Sequence, residues 1–143
     1  MSKIILATDG SEYSQAAAHY LVANPVLNPA ADVVLVSVAT RLPPHVTGSL
    51  SSGDANSWYD DENRKALQPT EDILRAGNIR FSSAGLNGVP EDAIVDYAAE
   101  IGADLIVIGT HGNGALMNAV MGSVASKVLT KSSVPVLLVK KPG

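Results

Sequence analysis

Short, uninterrupted apolar runs alternate along this chain with segments whose apolar residues recur every three or four positions. Lys3-Ile-Ile-Leu-Ala-Thr8 and Asp32-Val-Val-Leu-Val-Ser-Val38 read as buried strands, the second almost continuous in β-branched residues. Strands of that kind are covered on both faces, which implies a parallel sheet between helical layers. Between them, Ser11 is a candidate N-cap for a helix over roughly residues 12–24. Tyr13, Ala17 and Tyr20/Leu21 share one face of that helix, and Asn24-Pro25 stops it. Residues 41–57 carry no period and little to bury, and are expected to form a long mobile loop.

The alternation then resumes. Ala66/Leu67, Thr70 and Ile73/Leu74 make a helical stripe, in which Pro69 predicts a kink or a restart. Asn78-Ile-Arg-Phe-Ser-Ser83 is the third expected strand. Pro90-Glu91 opens a helix with Ile94, Tyr97, Ala98 and Ile101 inward and Asp92, Asp96 and Glu100 on its wet face. Gly102 stops it. The fourth strand is Ala103-Asp-Leu-Ile-Val-Ile108. A helix with Val124/Val128 and Ala125/Leu129 inward follows, with Lys127 and Lys131 outward. Ser133-Val-Pro-Val-Leu-Leu-Val139 is the fifth strand. Five strands alternating with four helices, without internal repeat, specify a doubly wound α/β fold with right-handed crossovers over residues 1–143.

Composition narrows the function. A hydrophobic share of 46% against 17% charged residues excludes a disordered chain. No apolar stretch approaches a membrane span, and Met1-Ser-Lys-Ile runs straight into a strand, so no membrane role is expected. A net charge of −4 without a basic cluster argues against nucleic-acid binding. The chain has no cysteine, which removes thiol chemistry and cysteine-based zinc sites. Its three histidines are far apart and lack metal-ligand spacing, so no protein-bound metal is expected.

Ligands of such sheets bind beyond the carboxyl ends of the strands. Strands one and four both end in chemistry there. Asp9 follows the first, as a carboxylate for a ribose or base, or as a turn and cap residue of the next helix. After the fourth comes Gly109-Thr-His-Gly112, then nine residues, then Gly122-Ser123 at a helix start. Glycines let backbone approach a ligand, and a helix N-terminus offers free N–H groups to an anion. The site is therefore read as a phosphate site. It is neither a Walker A loop nor a dinucleotide fingerprint, because Gly112-Asn-Gly114-Ala-Leu-Met117 lacks the third glycine. His111 could donate to a phosphate or simply be solvated. Lys127 could face the phosphates, or belong to the polar face. No carboxylate pair, serine elbow or loop cation equips the site for catalysis, so no catalytic residue is assigned.

These residues resemble the universal stress protein family. The opening Lys3–Ser11 is similar to its first strand and acidic loop. Ala103–Gly112 is similar to its fourth strand, and Gly122–Leu129 with Val134–Val139 to its last helix and strand. The spacing Gly109-x2-Gly112-x9-Gly122-Ser123 marks its ATP-binding branch. The resemblance implies a sheet order of 3-2-1-4-5, with Asp9 at the ribose or adenine end of ATP and Ala7, Val38 and Ile108 lining the adenine. It implies Gly109, Gly112, Gly122, Ser123 and the Val124 amide at the phosphates, bridged by magnesium or manganese. It also implies a homodimer through the last strand, residues 134–139. Asn113 stands where many members carry a basic residue, Asn118 adds no charge either, and Ala7 replaces a common Pro or Val.

The reading drawn from the sequence is a cytoplasmic, homodimeric ATP-binding regulatory module, with room for an unidentified protein partner. Two alternatives stand beside it. One is a slow ATPase or adenylyl or phosphoryl transferase; the other is an interaction protein with a vestigial nucleotide site.

Overall fold

The computed structural model describes the backbone at residues 2–24, 31–40, 52–111 and 121–141, and the side chains of these except 52–56. In chain order it contains β1 (Lys3–Ala7), α1 (Glu12–Ala23), β2 (Asp32–Ala39), α2 (Ser52–Ala76) and β3 (Phe81–Asn87). It continues with α3 (Pro90–Ile101), β4 (Leu105–Gly109), α4 (Ser123–Lys131) and β5 (Val136–Val139). All strand pairs are parallel, and the order across the sheet is β3-β2-β1-β4-β5. The chain winds outward one way through β2 and β3, returns, and winds the other way through β4 and β5. The reversal places the switch point between β1 and β4.

The pleat of β1 divides its side chains between two cores. Ile4 and Leu6 face α1 and α2, meeting Ala17, Ala18, Leu21, Leu67 and Leu74. Ile5 and Ala7 face α3 and α4, meeting Ile94, Ala98 and Val128. Ile5, Leu6, Leu35 and Ile106 are wholly inaccessible to solvent. Burial of a side chain of that size contributes about 1.5–3 kcal/mol, so the central strands dominate the stability of the molecule.

Several elements depart from the sequence expectation, each for a local reason. The third strand begins at Phe81 rather than Asn78, because the end of α2 uses the preceding residues as a turn. Asn78 there takes a φ of 58°, and the Ile79 N–H returns to the Leu74 carbonyl at 2.9 Å. Helix α2 runs unbroken through Pro69. It also includes residues 52–57, expected as loop; residues 41–51 lie outside the described residues. Tyr20 and Leu129, expected inward, are 43% and 46% exposed. Each stands beside the residue that takes the core position on its helix, Leu21 and Val128. The fifth strand starts late because the Ser132 hydroxyl bonds to both the N–H and the carbonyl of Val134, forming a turn.

Candidate functional site

Thr8 extends β1 by one hydrogen bond, its N–H donating to the Val36 carbonyl at 2.8 Å. The chain then turns sharply. Gly10 has a φ of +82°, and a Cβ there would lie 3.3 Å from the Ala66 Cα of α2. A side chain is disfavoured at Gly10 by both conformation and space. Asp9 is exposed at this turn. Its Oδ1 accepts the Ser11 N–H at 2.9 Å and the Ser14 hydroxyl at 3.2 Å. Ser11 caps α1 by accepting the Ser14 N–H at 3.4 Å. The carboxylate therefore fulfils the turn-and-cap role read from the sequence, and its position at the carboxyl end of β1 is the one the ligand role requires.

The β4 end is built differently. Thr110 prolongs the ladder, donating its N–H to the Val139 carbonyl at 3.1 Å. Its own carbonyl accepts the Gly122 N–H at 2.6 Å. That hydrogen bond ties the two ends of the intervening segment and sets the start of α4 against the end of β4. Gly122 is the N-cap of α4 in extended conformation, and it gives the helix no side-chain cap. Gly122, lacking a side chain, thus offers the first-turn N–H groups of Ser123 and Val124 no acceptor of its own. This is the arrangement that favours an anion. Ser123 is exposed and adds its hydroxyl to the same turn.

Gly109 answers to a second demand. A Cβ at this position would lie 2.7 Å from the Tyr13 carbonyl oxygen, so its missing side chain lets α1 pack on β4. His111 follows at the mouth. Its Nδ1 is 3.1 Å from the Thr110 hydroxyl, and its ring lies 5.2 Å from that of Tyr13. Lys141, beyond β5, reaches back to Glu12 and stands 5.7 Å from the Tyr13 ring. The hydrogen bond and charge of Glu12 raise the pKa of Lys141 above its usual value, and those of Lys141 lower that of Glu12.

Of the residues predicted for the site, Ala7 and Ile108 are buried in the core on the α3/α4 face, and Val38 packs against that core. Asp9, Gly109, Gly122, Ser123 and Val124 come to the carboxyl ends of β1 and β4. Gly112, Asn113 and Asn118 lie outside the described residues. Lys127 lies 3.4 Å from Glu91, and Lys131 lies 2.6 Å from Asp92. The cations of α4 are engaged with α3, and Lys127 takes the polar-face role. Among the described residues no three His, Asp or Glu side chains converge as metal ligands. The sequence reading missed Thr8, Ser14 and Tyr13 as neighbours of the site. Thr8 carried a signal, as a polar residue closing an apolar strand. Tyr13 carried none, since it reads only as a face residue of α1 while its carbonyl meets Gly109 and its ring meets His111. A depression of about 410 Å³ lies at the opposite end of the sheet, lined by Lys3, Arg80 and Tyr97 among others. It sits at the amino ends of the strands, where this architecture does not bind its ligands.

Switch-point position, parallel strands and an uncapped helix start define a doubly wound α/β protein. The universal stress protein family matches residues 1–140, and the chain belongs to that family. It is 34% identical over 146 residues to the universal stress protein MJ0531 of Methanocaldococcus jannaschii, covering 98% of this chain and 82% of that protein. The structure of MJ0577 superposes with a TM-score of 0.80 at 28% identity, covering 99% of this chain and 97% of that one. A universal stress protein in complex with cAMP shares the fold, with a TM-score of 0.73 at 23% identity over 99% of this chain and 97% of that one. No described helix is long and apolar enough to cross a membrane.

Proposed function

We propose that residues 1–143 form a cytoplasmic, homodimeric ATP-binding module of stress-response type that holds its nucleotide rather than turning it over. The observation that carries this reading is the 2.6 Å hydrogen bond from Gly122 to Thr110. It sets an uncapped helix start at the end of β4, beside the strand that delivers Asp9. Asp9 contacts the ribose or adenine end. Ala7, Val38 and Ile108 line the adenine. Gly109, Gly112, Gly122, Ser123 and the Val124 amide receive the phosphates. A magnesium or manganese ion would accompany the phosphates; among the described residues no three His, Asp or Glu side chains converge to hold one. Bound there, the ion would supply charge neutralisation.

The family and a relative's cAMP complex support the nucleotide class. The engagement of Lys127 and Lys131 with α3 supports retention over turnover, because phosphoryl transfer asks for a free cation. The test is calorimetric titration with ATP and magnesium. Asp9→Ala should weaken binding about ten- to hundredfold, the loss of a hydrogen bond to a charged group. Gly122→Val should weaken it further, by crowding the phosphates with a branched Cβ. Unchanged affinity in either folded variant would overturn the site.

A further inference from the structure

Beneath the site runs a chain of three buried hydroxyls that ends on Asp9. Thr70 of α2 is wholly buried, with its Oγ1 2.9 Å from that of Thr8. The Thr8 hydroxyl donates to Ser14 Oγ at 2.9 Å and accepts the Gly10 N–H at 3.1 Å. Ser14 Oγ in turn lies 3.2 Å from Asp9 Oδ1 and 2.9 Å from the Ser11 carbonyl. Each hydroxyl has one proton to give. Thr8 spends its own on Ser14, so Thr70 must be the donor toward Thr8. The direction then runs from Thr70 to Thr8 and from Thr8 to Ser14, whose single proton is shared between the Ser11 carbonyl and Asp9 Oδ1. Such a run polarises its members cooperatively, and both acceptors at its end, the Asp9 carboxylate and the Ser11 carbonyl, belong to the turn that carries Asp9.

The fold alone does not call for this. A valine would fill the space of Thr70, and the Thr8 hydroxyl would still donate to Ser14 and accept the Gly10 N–H, so it would not be left unsatisfied. The hydroxyl at 70 matters through what it orients. A second contact acts on the same loop, since the Ala66 Cα of α2 presses on Gly10, 3.3 Å from where a Cβ would stand. One turn of α2 thus holds the loop at Gly10 and at Thr8, on either side of Asp9.

We infer that Thr70, acting through Thr8 and Ser14, is a positioning residue that orients the Asp9 carboxylate for the ribose or adenine end of the nucleotide. This rests on the assignment of Asp9 proposed above. It makes α2, which carries none of the proposed ligand contacts, a determinant of affinity.

A double-mutant cycle read by calorimetric titration with magnesium-ATP tests it, with thermal denaturation confirming that each variant is folded. Thr70→Val should weaken ATP about three- to tenfold, and Thr70→Ser should restore affinity to within about twofold. In the Asp9→Ala background, Thr70→Val should add less than about twofold, because the group it orients is gone. An equal loss from Thr70→Val with and without Asp9 would overturn the inference, as would no loss at all. Should Thr70→Val fail to fold, Ser14→Ala enters the same cycle with the same expectations. The two failures separate cleanly. If Asp9→Ala itself leaves ATP binding unchanged, the site assignment falls and the inference with it. If Asp9→Ala weakens binding and the hydroxyl variants do not, only the positioning role falls.

Discussion

Gly109 is the residue at which packing and ligand access compete for one backbone. Its Cα hydrogen faces the Tyr13 carbonyl, and even a methyl group would stand 2.7 Å from that oxygen. The obstacle is main chain, so it cannot rotate aside. Gly109→Ala should therefore shift α1 and cost about 1–3 kcal/mol, the range for overpacking a well-filled interior. Urea denaturation measures it, and an unchanged midpoint would show that α1 yields freely. Asp9 is similarly double. Its acceptor capacity serves the α1 turn, so Asp9→Ala should lower stability slightly as well as affinity. The glycine spacing made Gly109 visible in the sequence as a ligand residue. Its contact with α1 was not visible, because Tyr13 acts there through a carbonyl that every residue possesses.

At the scale of elements, α2 and β3 are joined by a buried acid. Glu71 is shielded from solvent and receives the Ser83 hydroxyl at 2.6 Å, with Arg64 paired to it and Arg75 at 3.9 Å. Burial pushes its carboxyl up, but the hydrogen bonds from Arg64 and Ser83 and the two positive charges outweigh it. The pKa lies below the ordinary 4.5. A depressed carboxylate contributes stability that is complete above the unfolded value and is lost as pH falls through the folded one. Glu71→Gln should accordingly be destabilised at pH 7 by about 1–2 kcal/mol, a figure reduced because both arginines are solvated. The gap between wild type and variant should close as the pH falls through the folded-state value, which lies below 4.5. Denaturation curves at pH 7 and pH 3 check this, and a gap independent of pH would locate the effect in shape rather than charge. Elements such as β2 and β4 were legible because continuous β-branched runs have one solution in a covered sheet. The edge strand β3 was misplaced because its exposed serines, glycine and asparagine carry no apolar pattern. The start of α2 was read as loop because residues 52–57 show no stripe.

At the scale of the whole molecule, β5 closes one edge of the sheet, and among the described residues no strand pairs with its outer side. Val136, Leu137 and Leu138 are half-buried there, and Leu129 of neighbouring α4 is 46% exposed. An uncharged apolar edge is a pairing hazard unless covered, and a second copy across a two-fold axis is the simplest cover. The proposed homodimer should give a dimer mass by light scattering at micromolar concentration. Leu138→Lys or Val136→Lys should reduce it to monomer. A wild-type monomer would remove the dimer, and a dimer insensitive to both lysines would place its interface elsewhere. The alternation of elements made the layered architecture legible from sequence. The assembly rests on a single short strand, and residue type alone does not say what covers it.

The central place of β1 has a consequence for synthesis. Lys3 hydrogen-bonds Asp104, 101 residues downstream, and Ile4 to Leu6 take their second ladder from β4. A ribosome adding about 5–20 residues per second leaves that flank of the strand open for roughly 5–20 s after it emerges. During that interval a strand whose Ile4–Ala7 are buried in the finished interior has an unsatisfied side. The nascent chain up to β3 is then a half-sheet whose sticky margin is the finished protein's centre. A stalled or truncated product ending before Asp104 should collect in aggregates, while one ending after Val139 should not.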